Sequence, residues 1–232
     1  MRLHYYGHSC FALEAHGLLV LVDPFIRSNP LAKEVDVDAL RPTHILITHG
    51  HEDHVADAEF LAKSSGAELI APYEVANWFV EKGVEHVRAI NPGAVFALQG
   101  TSSEINVRVV GAVHSSTLPD GQPGGVACGY LLEDSDLRIY HAGDTSLHAD
   151  MAMIGRLWPP DVAILPIGGT FTMGWTDVPA AMDMLDCQMV VGMHYNTFPP
   201  IEIDREAAVR AVSAAGGQLH LPGIAEVLDI PF

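Results

Sequence analysis

The sequence predicts an α+β fold, read as one domain over residues 1–232. Three observations carry that reading. Apolar runs of strand length open the chain, and further apolar runs then alternate with segments of helical spacing. The same succession recurs in the second half, and no stretch rich in Pro, Gly and Ser divides the two. A chain of this length can enclose a sizeable core. Its hydrophobic content of 49% and charged content of 18% are those of an ordinary folded protein and exclude a disordered one.

In order, residues 3–6, 10–14 and 18–22 read as strands separated by the turns Gly7-His8 and His16-Gly17. Residues 44–48 form an apolar strand, after which Val55, Ala58, Leu61 and Ala62 recur at helical spacing. Residues 69–71 read as a strand and 75–82 as a helix stopped by Gly83. Residues 95–98 and 107–113 are strands, 115–125 a loop of Ser, Pro, Asp and Gly, and 126–132 with 137–140 a hairpin pair. A helix over 149–157, a buried strand over 162–165, a helix over 178–185 and a strand over 189–193 follow. A helix over 205–215, ended by Gly216-Gly217, and a strand over 225–228 complete the reading.

The formal charge of −17 and the scatter of Lys and Arg argue against a nucleic-acid partner, which such a field repels. No apolar run approaches the roughly 20 residues that span a bilayer, and the first residues lack the apolar core of a signal peptide. Cys10, Cys128 and Cys187 are widely spaced and odd in number, which suits buried free thiols rather than a disulfide framework. A cytoplasmic location is the corresponding expectation.

The chemistry concentrates in Thr48-His49-Gly50-His51-Glu52-Asp53-His54, directly after Ile45-Leu46-Ile47. Three imidazoles and a carboxylate cannot all face one tetrahedral ion from so short a segment, and they suit two ions. Other metal-capable side chains stand where apolar runs end: His114, Asp144 beyond the turn His141-Ala142-Gly143, and His194. Sites in layered α/β proteins collect at such strand ends. His49 and His51, two apart on extended chain, leave on one side and with His114 supply three nitrogens for one ion. Asp53, His54 and His194 supply the second set, and Asp144 is the candidate bridge. Asp53 could alternatively cap a helix starting near Val55. Asp23, before Pro24, is either a turn residue or the carboxylate that orients ligating histidines from behind. His141 and His8 are weaker candidates, with packing and strand termination as their structural alternatives.

The succession Asp23, His49-x-His51-x-Asp53-His54, His114, Asp144, His194 resembles the metallo-β-lactamase superfamily across nearly the whole chain. The resemblance implies a four-layer αββα sandwich of two mixed β-sheets, with a dinuclear site at one edge. Gly7-His8-Ser9-Cys10-Phe11, Leu21-Val22-Asp23-Pro24-Phe25, Tyr140-His141-Ala142-Gly143-Asp144-Thr145, Gly168-Gly169-Thr170-Phe171-Thr172-Met173-Gly174 and Met193-His194-Tyr195-Asn196-Thr197-Phe198-Pro199 look like the metal-dependent hydrolases related to ascorbate-6-phosphate lactonase. His51, where the flavodiiron branch has an acidic residue, departs from that branch, and there is no room for the added segments of the RNA-processing branches. Relatives often self-associate, so a homo-oligomer is expected.

The expected activity is metal-dependent hydrolysis of an ester, lactone or phosphoester bond in a small substrate, phosphorylated molecules included, by water activated between two divalent ions. Zinc is the first expectation for those ions, and manganese, iron or nickel also suit the ligand set. Asp53 would orient the nucleophile and pass a proton, and His8 would reach the rim as a proton donor. Thr170, Thr172 and Asn196 are the candidates for hydrogen bonds to substrate. A non-catalytic metal- or ligand-binding protein is the alternative outside enzymes, and a phosphodiesterase or nuclease the alternative within them.

Overall fold

Side-chain alternation on the first strands sets the layering. The computed structural model describes residues 1–230. β1 (Arg2–Gly7), β2 (Cys10–Ala15) and β3 (Leu18–Val22) form an antiparallel meander. β4 (His44–Leu46), β5 (Glu68–Pro72) and β6 (Val87–Ile90) extend it in parallel. Leu3, Tyr5, Phe11, Leu13, Val20, Val22, Leu46 and Ile70 join the core shared with a second sheet. Their neighbours Ala12, Leu21, Ile45, Leu69 and Ala71 join a separate core with Leu61, Ala62, Val75 and Phe79. Those last four lie on α2 (Ala58–Ser65) and α3 (Tyr73–Glu81), which follow the short α1 (Glu52–Val55). Period-two alternation on a sheet apolar on both sides therefore buries one face on a sheet and the other on helices.

The second half repeats the scheme. β7 (Val95–Gln99), β8 (Glu104–Gly111), β9 (Cys128–Glu133) and β10 (Arg138–His141) are antiparallel, and β11 (Val162–Pro166), β12 (Met189–Met193) and β13 (Gln218–His220) continue in parallel. The crossovers carry α4 (Asp150–Leu157), α5 (Val178–Leu185) and α6 (Arg205–Ala214). β14 (Val227–Asp229) returns to pair antiparallel with β1, so the first sheet runs β14-β1-β2-β3-β4-β5-β6 and the second β13-β12-β11-β10-β9-β8-β7. The result is the αββα sandwich of two mixed sheets. Among the described residues no helix is long and apolar enough to cross a membrane.

The sheets are joined directly beside the HxHxDH segment. The Cys128 N–H donates to the Thr48 carbonyl at 3.0 Å, and the buried Tyr130 hydroxyl donates to the Ile47 carbonyl at 2.6 Å. Several element boundaries differ from the sequence reading. β8 stops at Gly111, so a short loop delivers His114, tied by the Val113 N–H to the Thr145 hydroxyl at 3.0 Å. The helix expected after the motif is split into α1 and α2 because the Asp57 carboxylate turns back to accept from the N–H groups of Ile26 and Arg27, at 2.7 and 3.0 Å. The loop over 115–125 contains a small closed turn, with a Thr117–Pro123 bridge and Leu118 buried in the helix-side core. β6 and β13 escape the reading because each is short and carries polar residues, Arg88 on one and Gln218 and His220 on the other.

Two outcomes follow from this packing. All three cysteines are buried, and burial pushes the Cys187 thiol up to about 11, Cys128 up to about 12 and Cys10 well above the usual thiol range. At pH 8 the native protein should leave a disulfide reagent such as Ellman's unconsumed, with all three thiols reacting after denaturation; a fast-reacting native thiol would contradict this burial. Tyr130→Phe removes the donor from a buried carbonyl and should destabilise the protein by about 1 kcal/mol in urea unfolding.

Candidate metal centre

The strand-end loops bring the His/Asp segments to one edge. The chain leaving β4 is still held by the Ile47 N–H on the Ile70 carbonyl at 2.9 Å, and then turns through Thr48 into the motif. His49, His51 and His114 form one group of potential ligand atoms, all within 4.8 Å of one another. Their ring centroids are 4.5 Å apart for His49–His51, 5.0 Å for His49–His114 and 5.1 Å for His51–His114. Asp53, His54 and His194 form a second such group, together with His8. Asp144 stands where the two meet: its Oδ2 lies 3.0 Å from His194 Nε2, 3.4 Å from His54 Nε2 and 3.6 Å from His114 Nε2.

Buried hydrogen bonds behind the imidazoles set their orientation. Asp23 accepts from the Thr48 N–H at 2.8 Å, from the Thr48 hydroxyl at 2.6 Å and from His54 Nδ1 at 2.8 Å. A carboxylate only accepts, so His54 carries its proton on Nδ1 in this bond and turns Nε2 toward Asp144. The Thr48 proton goes to Asp23, which leaves its oxygen to accept from His49 Nδ1 at 3.0 Å and frees His49 Nε2 to face His51. On the opposite side the chain turns at Gly143, with φ at +63°, to present Asp144. A Cβ at Gly143 would sit 2.5 Å from the Cys128 carbonyl, so only glycine fits.

Burial pushes His49, His51 and His114 below the ordinary imidazole range, which keeps them neutral at pH 7. Burial acts the same way on His54, but Asp144 and Asp23 outweigh it and hold that imidazole well above its usual value. For Asp144 burial favours the neutral acid, yet His54 and His194 outweigh it and hold the carboxyl well below the usual range. Asp53 is likewise lowered, because its hydrogen bond with His8 and the charge of His54 overcome burial.

The donor set fits divalent cations. His54 Nε2, His194 Nδ1 and Asp144 Oδ1 are buried and have no hydrogen-bond partner. Orphaned buried polar atoms are costly, and these belong to side chains that meet at Asp144. Neutral imidazole nitrogens and carboxylate oxygens are the ligand atoms that zinc, manganese, iron and nickel accept.

All seven residues expected as metal ligands, His49, His51, Asp53, His54, His114, Asp144 and His194, are thus gathered at one edge. Asp23 lies behind them, in contact with His54 and Thr48. Asp53 is not the cap of a helix beginning near Val55: α1 begins at Glu52, His51 occupies its cap position and Asp53 lies in its first turn. His8 does not reach the rim. It is fully buried, 3.0 Å from Asp53 Oδ2 and 2.9 Å from the Thr197 hydroxyl, because the turn after β1 folds its side chain inward beneath the site. His141 supports the turn to Asp144: its Nδ1 accepts from the Gly143 N–H at 3.3 Å and its Nε2 bonds the Ser9 carbonyl at 3.3 Å.

Thr170 and Thr172 direct their hydroxyls to the backbone carbonyls of Pro200 and Met173, at 2.7 and 3.1 Å. Asn196 Oδ1 accepts from the Ile203 N–H at 2.8 Å. Thr170 thus ties the two rim loops to each other, while Thr172 and Asn196 bond within their own loops. Thr48, Thr197 and Tyr130 carry roles that the sequence reading did not assign. Thr48 adjoins His49, where a hydroxyl beside a ligand motif is a readable signal. Thr197 meets His8 from 189 residues away, which no local pattern announces.

Comparison with known proteins agrees with this architecture. The beta-lactamase superfamily domain family matches residues 2–194. A UPF0173 metal-dependent hydrolase of Methylacidiphilum infernorum is 43% identical over 208 residues, covering 90% of both chains. One from Christiangramia forsetii is 41% identical over 231 residues, covering 99% of this chain and 100% of that one. Among solved structures, Igni18, a metallo hydrolase from Ignicoccus hospitalis, superposes with a TM-score of 0.89 at 34% identity, covering 100% of this chain and 98% of that one. With its sandwich, its gathered histidines and aspartates, and these relatives, the chain belongs to the metallo-β-lactamase superfamily and is one of its metal-dependent hydrolases.

Proposed function

We propose that the protein is a dinuclear hydrolase acting on an ester, lactone or phosphoester bond of a small substrate. His49, His51 and His114 would hold one ion, Asp53, His54 and His194 the other, and Asp144 would bridge them. The observation that carries this reading is the position of Asp144 Oδ2, within 3.6 Å of an imidazole from each group. A carboxylate placed between two ligand sets can serve both through its two oxygens. Bound divalent ions supply Lewis-acid polarisation of the scissile group and lower the pKa of water to about 7.

The residues around them have separable tasks. Asp53 is the partly exposed carboxylate of the cluster, with 31% of its side chain accessible. It is ionised and acceptor-only at neutral pH, so it can orient a water and take its proton. Asp23 and Thr48, which lie behind His54 and His49, keep the imidazole nitrogens aimed. The exposed Phe171 and Val113, on the 168–174 loop and the His114 loop, offer apolar surface to the uncharged part of a substrate. A phosphorylated small molecule reconciles an acidic surface with an anionic ligand, because the ions supply the local positive charge. The resemblance of the motifs around His8, Asp144 and His194 to hydrolases related to ascorbate-6-phosphate lactonase supports the same substrate class.

His51→Ala and Asp144→Ala should each lose bound metal on dialysis and lose hydrolysis of a lactone, ester and bis(p-nitrophenyl) phosphate panel, while keeping the native circular dichroism. Full turnover by either metal-depleted variant would sink the proposal. Asp53→Asn keeps the shape of the side chain but not its basicity. It should lower kcat by roughly 10²–10⁴-fold, the usual contribution of a general base, measured at saturating metal and substrate.

A further inference from the structure

We propose that His8 is the positioning residue for Asp53, standing between the Thr197 hydroxyl and the Asp53 carboxylate with its Nε2–H donated to Asp53. The role of Asp53 rests on the hydrolytic reading above; the protonation state of His8 does not.

The two contacts determine where the proton sits. His8 Nε2 is 3.0 Å from Asp53 Oδ2, and His8 Nδ1 is 2.9 Å from Thr197 Oγ1. An ionised carboxylate has no proton to give, so the hydrogen in the first contact belongs to Nε2. Nδ1 then faces the Thr197 hydroxyl, which donates to it at 2.9 Å in preference to its other acceptor, the Tyr195 carbonyl at 3.4 Å. The opposite tautomer would set two lone pairs against each other at 3.0 Å in a buried site. A doubly protonated ring is disfavoured as well. The side chain is fully buried, with the rings of Phe25 and Phe198 each 5.6 Å away and His194 at 4.1 Å.

The backbone shows that this placement is imposed. His8 has φ at +56°, in the left-handed region that a residue with a Cβ rarely enters. The strain is held by its carbonyl, which accepts from the His194 N–H at 3.0 Å, and by the preceding Gly7 at φ +102°. The distortion turns the imidazole inward, under Asp53 Oδ2. With that oxygen held, the carboxylate has one fixed orientation in which to meet a water.

A ring nitrogen of His8 also falls within the group formed with Asp53, His54 and His194, so direct metal ligation is the competing assignment. The two differ in protonation, since a ligating Nε2 would leave the proton on Nδ1. The test is long-range proton–nitrogen correlation NMR of zinc-loaded protein with isotope-labelled imidazoles, the His8 signals being assigned by their loss in His8→Gln. Nε2 protonated and Nδ1 unprotonated is the expected result, and it should persist in Thr197→Ser, which keeps the hydroxyl donor. Proton on Nδ1, a metal-shifted Nε2, or a mixture dominated by either overturns the proposal. His8→Ala should keep the wild-type metal content and KM while kcat falls roughly 10–100-fold, as when an orienting partner is removed. Unchanged kcat, or loss of metal, would also overturn it. Because the tautomer is read whether or not turnover is found, an inactive wild type would count against the hydrolytic reading alone.

Discussion

The structure turns on a carboxylate buried among imidazoles. Asp144 is almost wholly removed from water, yet its Oδ2 touches His54, His114 and His194. An unpaired carboxylate in such a place costs several kcal/mol in lost hydration, so positive charge must be brought to it. His54, which Asp144 and Asp23 together hold well above its usual value, faces it with the nitrogen that a cation would take up. Burial pushes His49, His51 and His114 below the ordinary imidazole range, which preserves their lone pairs for a cation.

The cluster is held by backbone that would not be stable alone. His8, Asp23, Thr170, His194 and Asn196 all have positive φ. Each such non-glycine residue costs about 1–3 kcal/mol, and such strain collects where side chains must be aimed. The cost is met by the two apolar cores, one between the sheets and one beneath α2 and α3. Cross-braces then transmit that rigidity to the site: Tyr130 and Cys128 to the carbonyls of Ile47 and Thr48, and His194 to the His8 carbonyl. Groups from both sheets thereby share one edge.

Orientation runs outward in layers. Asp23 holds Thr48 and His54, Thr48 holds His49, His141 holds the turn before Asp144, and Thr197 holds His8, which meets Asp53. Asp23 and Thr48 thereby settle which nitrogen of His54 and of His49 is left to face the centre. The acidic balance of the whole chain then bears on solubility, while the local charge of the site is set by these few groups.

Most of the strands and helices were legible because an apolar run with period two, or one at helical spacing, reports directly which face is buried. Residues 18–22, 178–185 and 189–193 lie where the pattern puts them. The HxHxDH segment with His114, Asp144 and His194 was legible for a different reason: these side-chain types are rare together and stand near strand ends. What the chain alone could not disclose is everything that depends on distant partners. The break between α1 and α2 comes from Asp57 reaching back to Ile26. The inward turn of His8 comes from Thr197 and the His194 backbone, and the stitching of Thr170 and Asn196 comes from residues beyond their own turns. Sequence by itself determined the chemical inventory and its layering, because hydrophobic period and residue type are local properties. Only the tertiary structure decided protonation and aim, because those are set by burial and by hydrogen bonds between residues far apart in the chain.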